Sequence, residues 1–438
     1  MYSVGFYTLG CKVSQYETEA VAELFSDNGF SPSPFENKND VYVINTCTVT
    51  AESDRKCRQL IRRATKNNPE AIVMVMGCYS QRAPEEVSKI PGVCAVIGTE
   101  NKLSLVEIAK RMLSEREECG RVTQYVSVTD VKCASFERMR VRSAPRTRAY
   151  VKIEDGCESK CTYCAIAAAR GRVRSKAVSD VVEEVEALSA SGVREIVLTG
   201  IETASYGRDL EEKITLADLL VLLDKRGSCE RIRLGSLAPE LIDDAFIEKV
   251  SGLKILAPHF HLSLQSGSDA VLRRMKRRYN SARAKSVIDK LREKIDGVTF
   301  TTDLMVGFPG ESEEEFLDTV RFVREARFLD AHVFAYSRRE GTEAAYFDGQ
   351  IPEEIKKERS ARLIKIKNEV RDSLLLDFLN KGRALSAVVE SISEDGFYVA
   401  HSDSYVEIKF KSECDSLIGK IVDLVPVSHK DGILYCRL

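Results

Sequence analysis

Short apolar runs of strand length alternate with amphipathic stretches at helical spacing from residue 4 to residue 334, and few folds accommodate so regular an alternation. In the first 130 residues the apolar runs are 4–7, 41–44, 72–76 and 93–97. Helical stripes lie between and after them: Val21, Leu24 and Phe25, then Cys57, Leu60, Ile61 and Ala64, then Leu105, Ile108, Ala109 and Met112. Strands joined by helices pair in parallel, so residues 1–130 are expected to form an α/β domain around a doubly wound parallel sheet. Ligands of such sheets sit beyond the carboxyl ends of the strands.

After a basic linker at 131–145 the alternation resumes. Residues 146–350 carry six strand-like runs, at 149–153, 195–199, 231–234, 260–264, 298–304 and 331–334, with stripes such as Val178, Val181, Val182, Val185 and Leu188 between them. Six βα units suit a partial, open version of the eightfold TIM-like barrel. Polar and glycine motifs follow the strands rather than precede them: Thr199-Gly200, Gly235-Ser236, Gln265-Ser266-Gly267, Gly307-Phe308-Pro309-Gly310 and Tyr336-Ser337. That is the face on which barrel active sites are built. A charged connecting helix is expected at 351–381, seamed by Leu363, Ile366, Val370 and Leu374. From 382 to 438 the apolar period falls to two, in runs short enough for a small closed β-barrel, the architecture of many RNA-binding modules.

Three cysteines stand in Cys157-Glu158-Ser159-Lys160-Cys161-Thr162-Tyr163-Cys164, directly after the first barrel strand. Thiolates at C-x3-C-x2-C spacing can hold three irons of a cubane 4Fe-4S cluster and leave the fourth open to bind and activate a small molecule. A zinc site, which would want four ligands, and a chance grouping of buried cysteines are the competing explanations. Cys11, Cys47 and Cys78 each come directly after one of the first three strands. They would converge on one edge of the sheet, where a second three-cysteine cluster site is expected. Cys57 and Cys94 occupy ordinary core positions, and Cys414 and Cys436 are assigned no chemistry.

The C-x3-C-x2-C spacing resembles that of the radical S-adenosylmethionine (SAM) enzymes. With Gly10-Cys11-Lys12-Val13, Asn45-Thr46-Cys47-Thr48-Val49-Thr50 and Gly77-Cys78-Tyr79 ahead of it, the whole chain resembles the methylthiotransferases. The resemblance implies two 4Fe-4S clusters. Cys157, Cys161 and Cys164 would ligate the one that cleaves SAM, and Cys11, Cys47 and Cys78 an auxiliary cluster whose open iron holds the sulfur to be transferred. It also implies that Tyr163 touches the SAM adenine, that Gly200, Ser236 and Gln265 line the SAM pocket, and that 382–438 is a TRAM-like barrel. The implied partners are the anticodon stem-loop of tRNA and a reductant protein such as flavodoxin or ferredoxin; no catalytic side chain is expected beyond the cluster ligands.

The auxiliary motifs resemble the branch that converts N6-threonylcarbamoyladenosine at tRNA position 37 to its 2-methylthio derivative. Alternatives are the branch acting on N6-isopentenyladenosine, the branch that methylthiolates a ribosomal protein aspartate, and a non-catalytic metal-stabilised RNA-binding protein. The chain departs from the family at Ser14, Ala335 and Glu343, and in Ala165-Ile166-Ala167-Ala168-Ala169, where Pro and an aromatic residue are usual. A looser SAM loop is expected there.

The formal net charge of -2 gives no general coat for nucleic acid, so contacts with phosphates must come from local runs. Arg138, Arg140, Arg142, Arg146 and Arg148 form one, Arg170, Arg172, Arg174 and Lys176 a second, and Arg273, Arg274, Lys276, Arg277 and Arg278 a third. The first two flank the cysteine loop and are expected to bind phosphates. His259 and His261, expected on opposite sides of one strand, lack an acidic or thiol partner at ligand spacing and are assigned structural roles. No Walker phosphate loop, nucleophile elbow or Rossmann fingerprint occurs. No apolar stretch reaches membrane-spanning length and the first residues enter a strand without a basic leader, so neither a membrane span nor an export signal is expected. Thirteen cysteines in so long a chain suit reduced thiols in the cytoplasm.

Overall fold

A computed structural model describes residues 1–143, 147–414 and 416–438; Arg146 of the first basic run lies outside the described residues. Two compact units divide the chain. The first comprises 1–141, 154–176 and 337–345, the second 142–153, 177–336 and 346–438.

In the first unit β1 (Ser3–Thr8), β2 (Ser31–Ser33), β3 (Val41–Thr46), β4 (Ile72–Gly77), β5 (Val93–Ile97) and β6 (Tyr125–Ser127) form one sheet in the order β2-β1-β3-β4-β5-β6. Every pairing is parallel. All residues of β3 and β4 are buried, as strands covered on both faces must be. Tyr42, Ile44, Val73 and Val75 pack with Cys57, Ile61 and Ala64 of helix α2 (Ala51–Asn67), while α1 (Lys12–Asp27) buries Val13, Tyr16, Ala20, Val21 and Phe25. Helix α2 starts where Thr50 Oγ1 accepts the N–H of Ser53, which ends the loop carrying Cys47. The strand order reverses between β1 and β3, and at such a switch point an open sheet forms a ligand crevice.

The second unit holds six parallel strand positions: Arg148–Lys152, Glu195–Thr199, Arg231–Leu234 continued by Ser236–Leu237, His259–Gln265, Thr299–Val306 and Asp330–Ala335. The third strand breaks at Gly235, where a Cβ would stand 3.0 Å from Thr203 Oγ1 and 3.2 Å from the Leu198 carbonyl. The capping box legible at Ser312 and Glu315 opens the helix Glu313–Ala326. The helix Glu353–Lys381 leads into a closed five-stranded barrel whose core alternates along its strands: Leu385, Ala387 and Val389, then Tyr398 and Ala400, then Ile408 and Phe410. Among the described residues no helix is long and apolar enough to cross a membrane.

Three expectations need correcting here. His259 and His261 share a face, because residues two apart on a strand point the same way; both rings meet Thr301 Oγ1 at 2.9 Å. Arg148 is no phosphate ligand, since its guanidinium lies 2.5 Å from Glu390 and 3.7 Å from Glu195. It shares Glu195 with Arg233, which also donates to the carbonyls of Ser402 and Asp403 and so holds the small barrel against the parallel strands. The alanine run is no slack loop either: it enters the helix Ile166–Arg170, with Ala165 and Ala169 buried.

Candidate functional site

The strand register sets Thr8, Asn45 and Met76 abreast and Thr46 beside Gly77. Cys11, Cys47 and Cys78 therefore leave the sheet at one edge, beside the switch point. A Cβ built on Gly10 would lie 3.6 Å from the Cβ of Cys47. Gly77 has φ +103°, and a Cβ there would stand 2.4 Å from Asn45 Oδ1, so only glycine can deliver Cys78 into this corner. Burial pushes the Cys78 thiol up to about 11, against the pull of the Arg170 guanidinium, and neighbouring Cys47 and Cys11 raise it further. Burial also raises Cys47, with the Val49 N–H opposing and Cys11 reinforcing. Cys57, pushed up to about 12 by burial, stays a core thiol, as expected.

Cys157, Cys161 and Cys164 lie in this same unit. The two-residue strands Glu154–Asp155 and Arg174–Ser175 pair antiparallel and close the base of their loop. Within it Cys157 N–H donates to the Gly171 carbonyl at 2.9 Å. Gly156, with φ +88°, would place a Cβ 1.9 Å from the Arg172 carbonyl, so the turn into the first cysteine also requires glycine.

The sulfurs face donors. Cys157 accepts the Ser159 N–H at 3.4 Å, Cys164 the Ile166 N–H at 3.4 Å, and Cys47 the Val49 N–H at 3.5 Å. Such bonds favour thiolate over thiol and tune the potentials of iron–sulfur clusters; two of them fall on the 157–164 loop and one on Cys47, so each group of three cysteines carries at least one sulfur with an amide donor, which suits a 4Fe-4S cluster. Among the described residues no three His, Cys, Asp or Glu side chains could hold a single metal ion. A cubane spreads its thiolates over three irons and asks for no convergence on one point.

A buried charge network underlies both cysteine groups, and here the expectation for the second basic run is corrected. Arg170, Arg174 and Lys176 are buried; only Arg172 of that run is exposed. Arg170 donates from Nε to Cys78 Sγ at 3.2 Å, from Nη1 to Glu17 Oε1 at 2.5 Å and Asp155 Oδ2 at 3.1 Å, and from Nη2 to Glu17 Oε2 at 3.1 Å. Lys102 Nζ lies 3.4 Å from Glu17, and Arg174 lies 3.5 Å from Asp155. Lys176 Nζ donates to the Met139 carbonyl at 2.9 Å. Charges this deep must be paired, so these side chains are spent on the protein itself. One signal in the sequence points to them: Glu17 interrupts the apolar stripe Val13, Tyr16, Ala20 and Val21 of α1, and a carboxylate on a buried helix face needs a buried cation.

Residues 337–345 are a second feature the sequence did not disclose. Ser337 Oγ accepts the Ala51 N–H at 3.1 Å, Arg339 Nη2 donates to Thr48 Oγ1 at 2.8 Å and Asp54 Oδ2 at 2.6 Å, and Ala344 N–H donates to the Thr162 carbonyl at 2.8 Å. The segment thus braces the loop after Cys47 and the loop between Cys161 and Cys164.

Of the expected SAM-pocket residues, Tyr163 is half-buried on the cysteine loop of the first unit. Gly200, Ser236 and Gln265 lie at the carboxyl ends of the second, third and fourth parallel strands of the second unit. Gln265 has φ +76°, a strained conformation that tends to mark functional sites. Beyond Gly200, the nearly buried Glu202 carboxyl is pushed up to about 7 by burial, against the Ala238 N–H and Arg277, with Glu240 adding to the rise.

Arg138 and Arg140 of the first run are exposed in the first unit, and Arg142 is exposed in the second. In the third run Arg274 pairs with Glu315 at 2.6 Å and Arg277 donates to the Ser263 carbonyl at 2.6 Å. Arg273, Arg277, Arg278 and Arg283 line an open cavity of about 620 Å³ that also admits Glu240 and Asp269.

Residues 151–323 match the Radical SAM superfamily and residues 3–98 match uncharacterized protein family UPF0004. The chain is 40% identical over 432 residues to the threonylcarbamoyladenosine tRNA methylthiotransferase MtaB of Bacillus subtilis, covering 96% of this chain and 93% of that one. It is 33% identical to the tRNA-2-methylthio-N(6)-dimethylallyladenosine synthase of Carboxydothermus hydrogenoformans, covering 98% of each. Among solved structures, the radical S-adenosylmethionine methyltransferase TsrM of Kitasatospora setae aligns with a TM-score of 0.55 at 17% identity over 78% of this chain and 77% of that one, a likeness of fold alone.

Proposed function

This chain belongs to the radical SAM tRNA methylthiotransferase family, and we propose that it converts N6-threonylcarbamoyladenosine at tRNA position 37 to 2-methylthio-N6-threonylcarbamoyladenosine, in tRNAs reading codons that begin with A. The observation that carries the reading is the presence of two three-cysteine groups in one unit, one past adjacent strands of a parallel sheet and one in a closed loop. The family's cofactors are SAM and 4Fe-4S clusters. When bound, the cluster held by Cys157, Cys161 and Cys164 would supply the electron for reductive cleavage of SAM, and the one held by Cys11, Cys47 and Cys78 would carry the sulfur destined for C2 of the adenosine.

The protein's part is to hold and orient. Cys157, Cys161 and Cys164 would ligate the SAM-cleaving cluster, with amide N–H donors on Cys157 and Cys164, and Cys11, Cys47 and Cys78 the auxiliary one, with the Val49 N–H on Cys47 and the Arg170 guanidinium on Cys78. Tyr163, Gly200, Ser236 and Gln265 would hold SAM. Exposed Arg138 and Arg140 suit the phosphates of an anticodon stem-loop, whose unstacked bases present an adenosine edge without melting a duplex. The five-stranded barrel would add RNA contacts as a TRAM-like module, and a cytoplasmic one-electron donor of the flavodoxin or ferredoxin kind would complete the system.

The threonylcarbamoyl group carries a carboxylate that an apolar isopentenyl pocket would leave unpaired, so one pocket serves one substrate. Mass spectrometry of tRNA nucleosides from wild-type and deletion cells tests the assignment. Loss of 2-methylthio-N6-threonylcarbamoyladenosine on deletion is expected. Its persistence together with loss of the isopentenyl derivative would overturn the substrate and leave the reaction class standing.

A further inference from the structure

We propose that Arg170 is a positioning residue for the auxiliary cluster, its guanidinium donating to the Cys78 sulfur and setting the cluster's reduction potential from the segment that carries the other cysteine group. The inference rests on the assignment of Cys11, Cys47 and Cys78 as cluster ligands. Arg170 follows Cys164 by six residues and is fully buried. Its Nε edge faces Cys78 Sγ at 3.2 Å, while the Nη1 and Nη2 edge is held by both oxygens of Glu17 and by Asp155. One planar group therefore ties together three cluster-bearing segments: α1 behind Cys11, the end of β4 at Cys78, and the residue two before Cys157.

The geometry separates the charges. The donor edge points at the sulfur and the carboxylates lie on the other side of the guanidinium, where Glu17 is shared with Lys102 and Asp155 with Arg174. A charge-assisted N–H on a ligand sulfur withdraws electron density and stabilises the reduced cluster, raising its potential. A carboxylate one group further away acts with the opposite sign. Cys47, Cys157 and Cys164 accept backbone amides, whereas the donor on Cys78 is a guanidinium N–H.

The test uses the full chain carrying Cys157→Ala, Cys161→Ala and Cys164→Ala, reconstituted so that only the auxiliary cluster remains, with iron counted and the midpoint potential read by EPR-monitored titration. Arg170→Met is expected to lower the potential and Glu17→Gln to raise it, a pair of opposite shifts that a purely structural role does not produce. Glu17→Gln is nearly isosteric and decides the matter alone if Arg170→Met fails to fold or to retain iron. A potential unmoved by Glu17→Gln, or shifts of the same sign, overturns the proposal while leaving the cluster in place. Absence of any cluster in the parent triple variant overturns the ligand assignment along with it.

Discussion

Replacing Glu202 by Gln should change how the stability of the second unit depends on pH. Glu202 is 8% exposed, and burial pushes its carboxyl from the ordinary 4.5 to about 7, with the Ala238 N–H at 3.0 Å and Arg277 only partly offsetting the loss of water. A carboxyl whose folded value is raised favours folding while it is protonated. Its contribution is fully present below pH 4.5, the unfolded value, and is lost as the pH climbs through 7, the folded one. At 1.36 kcal/mol per pH unit the loss amounts to about 3 kcal/mol, most of it between about pH 5 and pH 8. Glutamine keeps the shape and has no proton to lose. Calorimetric melting of both proteins across that range should show the melting temperatures diverging as pH rises, the variant ending about 4 °C higher, at roughly 2 °C or less per kcal/mol for a chain of this length. Parallel pH profiles would show that Glu202 is hydrated or ionised in the folded protein, and would refute the reasoning.

Two further outcomes follow from the same structure. Arg339→Met should destabilise the first unit by about 3–5 kcal/mol, because it strands the nearly buried Asp54 carboxylate that Arg339 pairs at 2.6 Å, and adding Asp54→Asn should recover part of the loss in thermal melts; a drop below about 1 kcal/mol would count against it. Neutralising Arg138 and Arg140 together should weaken tRNA binding and flatten its dependence on log salt by about one to two, whereas unchanged binding across salt concentrations would return both to solvated surface.

The βα alternation was legible because its apolar runs are continuous in buried strands and spaced in helices, and the expected strands lie where that pattern puts them; β2 and β6, three residues each and without a buried apolar run, left no such signal. The edge cysteines were legible for the same reason: a residue just past a buried parallel strand emerges at the ligand-binding edge. Pairing across long separations was not. Arg170 meets Glu17 across 153 residues and Arg339 meets Asp54 across 285, so no local window joins them. The second basic run resembles a phosphate site because charge in a loop is normally solvated, yet Arg170 and Arg174 fold inward to neutralise Glu17, Glu100 and Asp155. His261 and Asp303 lie on adjacent strands 42 residues apart, which is why spacing alone offered the histidine no acidic partner.

The most direct test of the account measures iron, 5'-deoxyadenosine and methylthiolated nucleoside together in the reconstituted Cys11→Ala, Cys47→Ala and Cys78→Ala triple variant. Two clusters with divided labour predict half the iron of the unaltered protein, continued reductive cleavage of SAM and no methylthio product. Full iron content, or methylthio transfer at the unaltered rate, would contradict the central claim that these three cysteines hold a second, sulfur-donating cluster.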